Sequence, residues 1–192
     1  MVELDRNLLL YLNSFHSPFW DSVMVFITGK LEWIPLYLFV IWLFWRKYRG
    51  KVWIPVLIAV LGLLLSDQIS VLIKNSVQRL RPGRDPALAG LVHLVNNYRG
   101  GMYGFVSSHA ANSFAIALFV GLLLNRRRSK WTITVLLLWA STVSYSRIYL
   151  GVHYPGDILG GAVLGLSESY LLYLGLMRWG HIKRKEDASA IS

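Results

Sequence analysis

Five apolar stretches close to the length of a membrane span constrain this chain more than any other feature. A transmembrane helix needs about 20 predominantly apolar residues. One stretch ends near residue 45, and the other four lie at about residues 52–73, 110–124, 131–149 and 158–179. Of all residues, 55% are hydrophobic and only 16% are charged, and the mean hydropathy is +0.46. The sequence therefore predicts an all-α fold, an integral-membrane helical bundle of about five transmembrane helices.

The first span has an irregular start. Gly29, Lys30 and Pro35 predict that it is broken, or that it has a long lead-in beginning between Trp20 and Leu31. Residues 1–17 are apolar but too short to cross a bilayer, which favours an interfacial helix. They also lack the basic start and small-residue cleavage site of a signal peptide. We expect one domain over residues 1–192, with residues 180–192 as a cytoplasmic tail.

The net charge of +10 is distributed unevenly along the chain. Basic segments follow the first, third and fifth spans, at residues 46–51, 125–130 and 181–187, and alternate crossings place them on one side. With Arg178 they hold twelve of the twenty Lys and Arg residues, which identifies that side as the cytoplasm. The basic balance is thus mainly topology, and nucleic-acid binding is excluded as its explanation. The chain has no cysteine, which excludes disulfides and thiolate metal sites.

Two polar clusters lie at the outer ends of the spans. The first, KNSVQRLRP at residues 74–82, has Lys74 and Arg81 seven residues apart, so that on a continuing helix they would share a face. The second, FVSSHAAN at residues 105–112, opens the third span. Ser107 there is a natural N-cap, and the free backbone N–H groups of the first turn attract an anion. Both clusters could bind a negatively charged group.

A third polar cluster, YSRIYLGVHYPGD at residues 145–157, lies on the same outer side. Pro155 fits the first position of the last helix, and Asp157, two residues later, could then reach back toward His153. Each polar residue also has a simpler explanation, such as helix capping or snorkelling to lipid headgroups. These explanations do not account for two His, three cations and an Asp at one membrane face, and we therefore interpret the clusters as a catalytic site.

The three clusters together resemble the signatures of the type 2 phosphatidic acid phosphatase (PAP2) superfamily, K-x6-R-P, P-S-G-H and S-R-x5-H-x3-D. The second signature departs from the pattern, because Val106 replaces its Pro and Ser108 replaces its Gly. This change removes neither a proton donor nor a charge. The matching residues are Lys74, Arg81 and Pro82 in the first signature, Ser107 and His109 in the second, and Ser146, Arg147, His153 and Asp157 in the third.

The resemblance implies hydrolysis of a phosphate ester through a phosphohistidine. It makes His153 the nucleophile, with Asp157 stabilising the imidazolium that develops. His109 would protonate the leaving oxygen and then activate water. We expect no metal and no cofactor, because the outer segments carry no cluster of carboxylates at metal-binding spacing. The phosphate-binding residues would be Lys74, Arg81, Ser107, Ser108 and Arg147.

The substrate is less constrained than the reaction. Candidates are a lipid A phosphate, undecaprenyl pyrophosphate, phosphatidylglycerophosphate and phosphatidic acid. The short chain, with YGFVSSHAANSF at residues 103–114, is similar to compact bacterial lipid A phosphatases, including the 4′-phosphatase type. Four outer cations outside the signatures, Lys30, Arg79, Arg84 and Arg99, would suit a polyanionic headgroup, with Arg84 and Arg99 as the candidate contacts. These features favour lipid A.

Other functions remain open at this point. A vanadium-dependent haloperoxidase would use a similar oxyanion site, but those relatives are soluble. An inactive lipid-binding protein would not need the complete His-Asp-His set, and a transporter with intramembrane Asp67 and Glu168 would be expected to show an internal repeat. We expect Asp67 either to support the site or to make a helix–helix hydrogen bond, and Glu168 to serve packing.

The expected location is a bacterial inner membrane. The catalytic site would face the periplasm, since the basic segments identify the opposite side as the cytoplasm. The expected partners are the bilayer and a membrane lipid phosphate, with no nucleic acid and no obligatory protein partner.

Overall fold

The computed structural model describes residues 2–124 and 131–189, the last nine as backbone alone. Within these residues the chain forms seven α-helices and several short 3₁₀ turns, without a β-strand. The predicted all-α fold is thus confirmed. The helices are α1 (Val2–Asn13), α2 (Pro18–Thr28), α3 (Ile34–Tyr48), α4 (Trp53–Val77), α5 (Ser108–Leu124), α6 (Trp131–Tyr149) and α7 (Pro155–Ser189).

Two of the described helices are each long and apolar enough to cross a bilayer, namely α4 and the Pro155–Gly180 part of α7. The segment Leu31–Lys51 reaches that standard only together with α2. Helix α5 is apolar but has 17 residues, about 26 Å of helix, and α6 has the bounds predicted for the fourth stretch. The apolar membrane bundle is confirmed, and the count of five spans stays a prediction.

The first predicted span is broken, as Gly29, Lys30 and Pro35 indicated. Helix α2 ends at Thr28, a 3₁₀ turn at Leu31–Trp33 follows, and α3 continues at an angle of 70° to α2. The Trp33 indole donates a hydrogen bond across the break to the carbonyl of Ile27, at 2.9 Å. The break brings residues 28–30 to the end of the bundle that holds the polar clusters.

Helix α5 is the centre of the bundle and packs against α4, α6 and α7. Nine of its 17 residues are buried, most of them small. On α7, Gly161 and Gly165 let the two backbones approach closely. A Cβ at Gly161 would overlap the carbonyl oxygen of Ser107, and one at Gly165 would overlap that of Ala111, so neither glycine has room for a side chain. Small residues spaced four apart are a common means of close helix packing in membranes.

The polar clusters share one end of this bundle. Helix α4 ends there, α5 begins there, α6 ends there and α7 begins there. The opposite end carries the basic segment at residues 46–51, where Lys47 donates to the carbonyl of Leu123 near the end of α5. The basic segment at residues 125–130 and the side chains of residues 181–187 lie outside the described part of the chain.

Many large apolar side chains are exposed on the outer faces of α3, α4, α6 and α7, as a lipid-facing surface requires.

Helix α1, predicted to be interfacial, packs against α6 and α7. It buries Leu9 completely and Asn13 almost completely. The Asn13 side-chain amide donates to the carbonyl of Tyr149 at 2.6 Å, where α6 ends and its last carbonyls lack helical partners. Its position relative to the membrane stays a prediction.

Candidate active site

A cavity of about 700 Å³ opens at the end of the bundle where the polar clusters meet. It has a polar end and a long apolar continuation between α3, α4, α5 and α6. The predicted site residues that line its polar end are Lys74, Arg81, Ser108, His109, Arg147 and His153. The three signatures, separated by up to 79 positions in the sequence, therefore converge on one space.

His153 and Asp157 form the innermost pair of the site. Both side chains are buried, and the Nδ1 atom of His153 lies 3.3 Å from Oδ2 of Asp157. Helix α7 begins at Pro155, as its fixed φ predicts, so that Asp157 is the third helical residue. If Nδ1 carries the hydrogen toward Asp157, then Nε2 carries the lone pair. Burial, together with the positive charges of Arg81, Arg147 and Lys74, lowers the pKa of His153 well below 6.5, so that the ring is neutral at neutral pH.

Lys74 is held by two hydroxyl groups. Its ammonium donates to Oγ of Ser108 at 2.6 Å and to Oγ of Ser70 at 3.2 Å. The two hydroxyl oxygens are themselves 2.6 Å apart. Ser108 thus has a polar partner on α4, and the third N–H of Lys74 is left for a ligand.

Arg81 does not share a helix face with Lys74, and that prediction was wrong. Helix α4 ends at Val77 because Gln78 adopts a left-handed conformation, with φ 52° and ψ 29°. Arg81 instead lies in an extended segment that pairs with residues 102–104, and its backbone N–H donates to the carbonyl of Met102. Its Nε donates to the carbonyl of Tyr103 at 3.0 Å. Burial lowers the pKa of Arg81 from its usual value, but the group stays cationic at neutral pH.

Arg147 is 4% exposed and lies near the end of α6. Its Nη1 donates to Oγ1 of Thr28 at 2.6 Å, which connects it to the break between α2 and α3. Its Nε has no hydrogen-bond partner among the described residues. A buried, unsatisfied guanidinium donor beside a cavity is suited to binding an anionic ligand.

Ser107 and His109 have different positions at the start of α5. Ser107 is fully buried, and its hydroxyl accepts a hydrogen bond from the N–H of Ala110 at 3.4 Å, so it caps α5 as predicted. It does not line the cavity, and a phosphate contact for its side chain stays a prediction. His109 lines the cavity, whereas Asp157 lies behind His153 and does not line it. His109, in the first turn of α5, and His153, just before α7, line the same cavity, which suits a nucleophile and a proton donor for one phosphate.

Sequence reasoning missed the role of Arg79, which it grouped with the headgroup cations. The guanidinium is instead engaged by two carboxylates, with Nη1 3.0 Å from Oδ1 of Asp157 and Nη2 2.6 Å from Oδ2 of Asp5. Nothing in the local sequence indicates this, because Asp5 and Asp157 lie more than 70 residues away on either side.

The other outer cations line a second cavity of about 960 Å³ that adjoins the first. Arg84 donates from Nη2 to the carbonyl of Gly100 at 3.0 Å and from Nε to that of Gly101 at 3.2 Å. Arg99 and Lys30 also line this cavity, and both are exposed. The two cavities share His109, Arg147, Lys30 and Tyr98.

The two intramembrane acids separate in the structure. Asp67 lines the main cavity. It lies on α4, seven residues before Lys74 and on the same face of the helix. Glu168 is buried between α7 and α4 beside Gly62, and its carboxyl oxygens have no hydrogen-bond partner among the described residues. Only Asp67 is therefore placed to influence the site.

No group of three or more His, Asp or Glu residues in the described part of the chain is arranged to hold a metal ion, and the expectation of metal-free catalysis stays a prediction.

Comparison with known proteins identifies the family and the fold. The sequence profile described as the PAP2 superfamily matches residues 55–180. A lipid A 4′-phosphatase of Bacteroides thetaiotaomicron is 41% identical over 176 residues, which is 90% of this chain and 77% of that protein. A lipid A 4′-phosphatase of Porphyromonas gingivalis is 34% identical over 90% of this chain and 73% of its own length. A crystal structure of a PAP2-type phosphatidylglycerolphosphate phosphatase from Bacillus subtilis superposes with a TM-score of 0.71 at 22% identity, covering 92% of this chain and 86% of that one.

Proposed function

The chain belongs to the PAP2 superfamily and is a hydrolase of phosphate esters, and on this premise we propose that it removes the 4′-phosphate of lipid A through a phosphohistidine at His153. The two lipid A 4′-phosphatase relatives support this choice of substrate, since each aligns with 90% of the chain.

One observation carries the proposal: the phosphate-binding cations and an apolar groove line the same cavity. The groove continues from the polar end along α3, α4, α5 and α6 as far as Phe44, Val120 and Leu136. An amphiphile with a phosphate headgroup would place its charged part among the cations and leave its hydrocarbon chain in contact with apolar side chains. A small soluble phosphate ester would leave most of the cavity unused.

In the first step, Nε2 of His153 attacks phosphorus while Asp157 accepts the Nδ1 hydrogen bond and stabilises the developing imidazolium. The phosphorus–oxygen ester bond breaks, and His109, which would be protonated once the anionic phosphate is bound among the cations, gives its proton to the leaving oxygen. In the second step, water attacks the phosphohistidine and gives a proton to His109. The phosphorus–nitrogen bond breaks, its electron pair returns to Nε2, and phosphate leaves with both histidines restored.

Three cations stabilise the charge on the transferred phosphoryl group. Lys74 and Arg81 approach from α4 and the segment after it, and Arg147 approaches from α6. The free Nε of Arg147 and the remaining N–H of Lys74 would contact the equatorial oxygens. Donors that are already fixed by Thr28 and Ser108 need little reorganisation, and preorganised charge is usually the largest contribution to this kind of catalysis.

The second cavity favours a substrate with a further anionic group. Lys30, Arg84 and Arg99 place three cations beside the catalytic space, and lipid A carries more than one anionic group in its headgroup. A lipid pyrophosphate, such as undecaprenyl pyrophosphate, is the second candidate, because the cavities share Lys30 and Arg147 and would also accept two adjacent phosphates.

We place the site at the periplasmic face of the bacterial inner membrane. The support is the charge distribution, because residues 46–51 lie at the end of the bundle opposite the site and basic segments favour the cytoplasm.

Phosphate release by the purified protein from lipid A, undecaprenyl pyrophosphate, phosphatidylglycerophosphate and phosphatidic acid tests the proposal. Mass spectrometry of the lipid product identifies which phosphate is lost. We expect the highest kcat/KM with lipid A and loss at the 4′ position. Preference for the pyrophosphate would replace lipid A by the second candidate, and inactivity on the whole panel would refute the phosphatase mechanism.

A further inference from the structure

We propose that Arg79 is a positioning residue for the phosphoryl transfer, and that helix α1 completes the catalytic site through Asp5. The proposal rests on the proposed function, because it requires Asp157 to orient His153. Neither residue lines the main cavity, so both would act through Asp157 rather than on the substrate.

Asp157 has a full set of partners, and each of its oxygens serves a different purpose. Oδ2 faces Nδ1 of His153 at 3.3 Å and accepts the backbone N–H of Tyr154 at 3.0 Å. Oδ1 accepts from Nη1 of Arg79 at 3.0 Å. The Asp157 side chain is fully buried, where an ionised carboxylate is costly unless a cation compensates it. Without Arg79 the carboxylate would lose the paired charge that keeps it ionised, and a neutral carboxyl accepts the His153 hydrogen less strongly.

Arg79 is itself held in one orientation. Its Nη2 lies 2.6 Å from Oδ2 of Asp5, and its Cζ lies 3.8 Å from the centre of the Tyr154 ring. A planar guanidinium can bridge two carboxylates while stacking on an aromatic ring, whereas a lysine ammonium cannot reproduce both contacts. The two carboxylates and the ring together fix the position of the Nη1 donor beneath Asp157.

Asp5 connects this arrangement to the start of α7. Its Oδ1 accepts the backbone N–H of Gly156 at 2.8 Å. Gly156 is the second residue of α7, and N–H groups in the first turn of a helix have no partner within it. A Cβ at Gly156 would lie 2.7 Å from Oδ2 of Asp5, so a side chain at this position would displace the Asp5 carboxylate. One carboxylate of α1 therefore holds both Arg79 and the helix turn that carries Asp157.

The neighbouring ion pair of α1 provides a matched control. Arg6 donates from Nη2 to Oδ2 of Asp85 at 2.7 Å, and Asp85 also accepts from the Tyr154 hydroxyl at 2.8 Å. This pair connects the same helix to the same loop region, but no hydrogen bond or ion pair joins Arg6 directly to Asp157 among the described residues. If α1 were only a structural support, loss of either pair would have similar consequences.

The experiment compares Arg79→Gln, Arg79→Lys, Asp5→Asn and Arg6→Gln in detergent-purified protein, using the lipid substrate with the highest wild-type rate. Because the positioning acts on the nucleophile, kcat should fall with KM within about threefold of wild type. We expect roughly 100-fold loss for Arg79→Gln, about tenfold for Asp5→Asn, and partial recovery in Arg79→Lys. Arg6→Gln should stay within about threefold. Rapid quench should show slower formation of the phosphoenzyme in Arg79→Gln.

Chemical rescue separates positioning from folding. Added guanidinium at millimolar concentration should restore part of the activity of Arg79→Ala and none of that of Asp5→Asn, which still has its arginine. A wild-type kcat in Arg79→Gln would overturn the proposal. So would equal losses of activity in Asp5→Asn and Arg6→Gln, if both variants also lose the same amount of thermal stability. If the Arg79 variants do not fold, the comparison of Asp5→Asn with Arg6→Gln decides. Inactivity of the wild type on every lipid phosphate would instead refute the proposed function.

Discussion

The ammonium of Lys74 lies 2.6 Å from the hydroxyl oxygen of Ser108, the residue that replaces the glycine of the P-S-G-H signature. Ser70 provides a second, longer contact at 3.2 Å. The substituted position on α5 therefore holds Lys74 of α4, a cation of the proposed phosphate site.

Ser108→Ala should lower kcat/KM by about tenfold, because a hydrogen bond to a charged group contributes roughly 1.5–3 kcal/mol. Ser70→Ala should have a smaller effect, because its contact with Lys74 is longer. Steady-state kinetics of both variants on one lipid substrate make the comparison. A larger loss in Ser70→Ala would contradict the assignment of Ser108 as the main partner of Lys74.

His153→Ala should abolish turnover, because no other described imidazole has the Asp157 contact that a nucleophile needs. His109→Ala should also be severely impaired. With a substrate whose leaving group departs without protonation, it should still form a phosphoenzyme slowly, because that step then does not need a general acid. Rapid quench with phosphate-labelled substrate distinguishes the two variants. Near-normal activity in His153→Ala would remove it from the nucleophile position.

The lowered pKa of His153 predicts a pH-dependent contribution to stability. The native ring resists protonation, whereas the unfolded chain takes up a proton below about pH 6.5. Stability from the buried neutral ring is therefore complete above pH 6.5 and declines as the pH falls, by at most about 1.4 kcal/mol per pH unit. Thermal unfolding from pH 8 to pH 5 should show a smaller acid loss in His153→Gln than in wild type. Parallel profiles would contradict the prediction.

Arg84→Ala combined with Arg99→Ala should alter substrate preference more than the chemical step. Both side chains lie at the second cavity, and exposed ion pairs contribute only about 0–1 kcal/mol each. The ratio of kcat/KM for a lipid with two phosphates to that for a monophosphorylated lipid should fall a few-fold to about tenfold. An unchanged ratio would mean that Arg84 and Arg99 do not bind the second phosphate of the headgroup. Because Arg84 also holds Gly100 and Gly101, the single Arg99→Ala variant is the cleaner control.

A chelator should leave the rate unchanged, because the proposed mechanism assigns each catalytic task to a side chain. Assays with EDTA, followed by additions of single divalent ions, check this. Strong inhibition that one particular ion reverses would overturn the metal-free mechanism.

The local features of the site were predictable from the sequence. His153 and Asp157 are four residues apart across a proline that starts a helix, and this spacing alone brings the two side chains together. Ser107 likewise caps α5 where a helix start was expected. The break after Thr28 followed from Gly29 and the nearby proline. In each case the interacting groups lie within one or two turns, where backbone geometry leaves few alternatives.

The features that sequence reasoning missed depend on contacts between distant segments. We expected Lys74 and Arg81 to lie on one face of a continuing helix. That prediction was wrong because α4 ends where Gln78 adopts a left-handed conformation, and a glutamine is not a strong indicator of a helix end. Arg79 was assigned to the headgroup because its partners lie on α1 and α7, and no local pattern reveals them. The apolar residues of α1 indicate that the helix packs against the rest of the chain. They do not indicate that Asp5 reaches Arg79.

The close contact of α5 with α7 constrains the separation of His109 and His153, the proposed acid and nucleophile. His109 is the second residue of α5 and His153 precedes α7, and the two backbones meet where Gly161 and Gly165 have no side chain. A methyl group at either position would overlap backbone atoms of α5 or of the residue before it, so the two helices would have to move apart there. The separation of the two histidines thus depends on two glycines of α7 that lie outside the three signatures, together with the backbone hydrogen bond from Ser107 to Asp157.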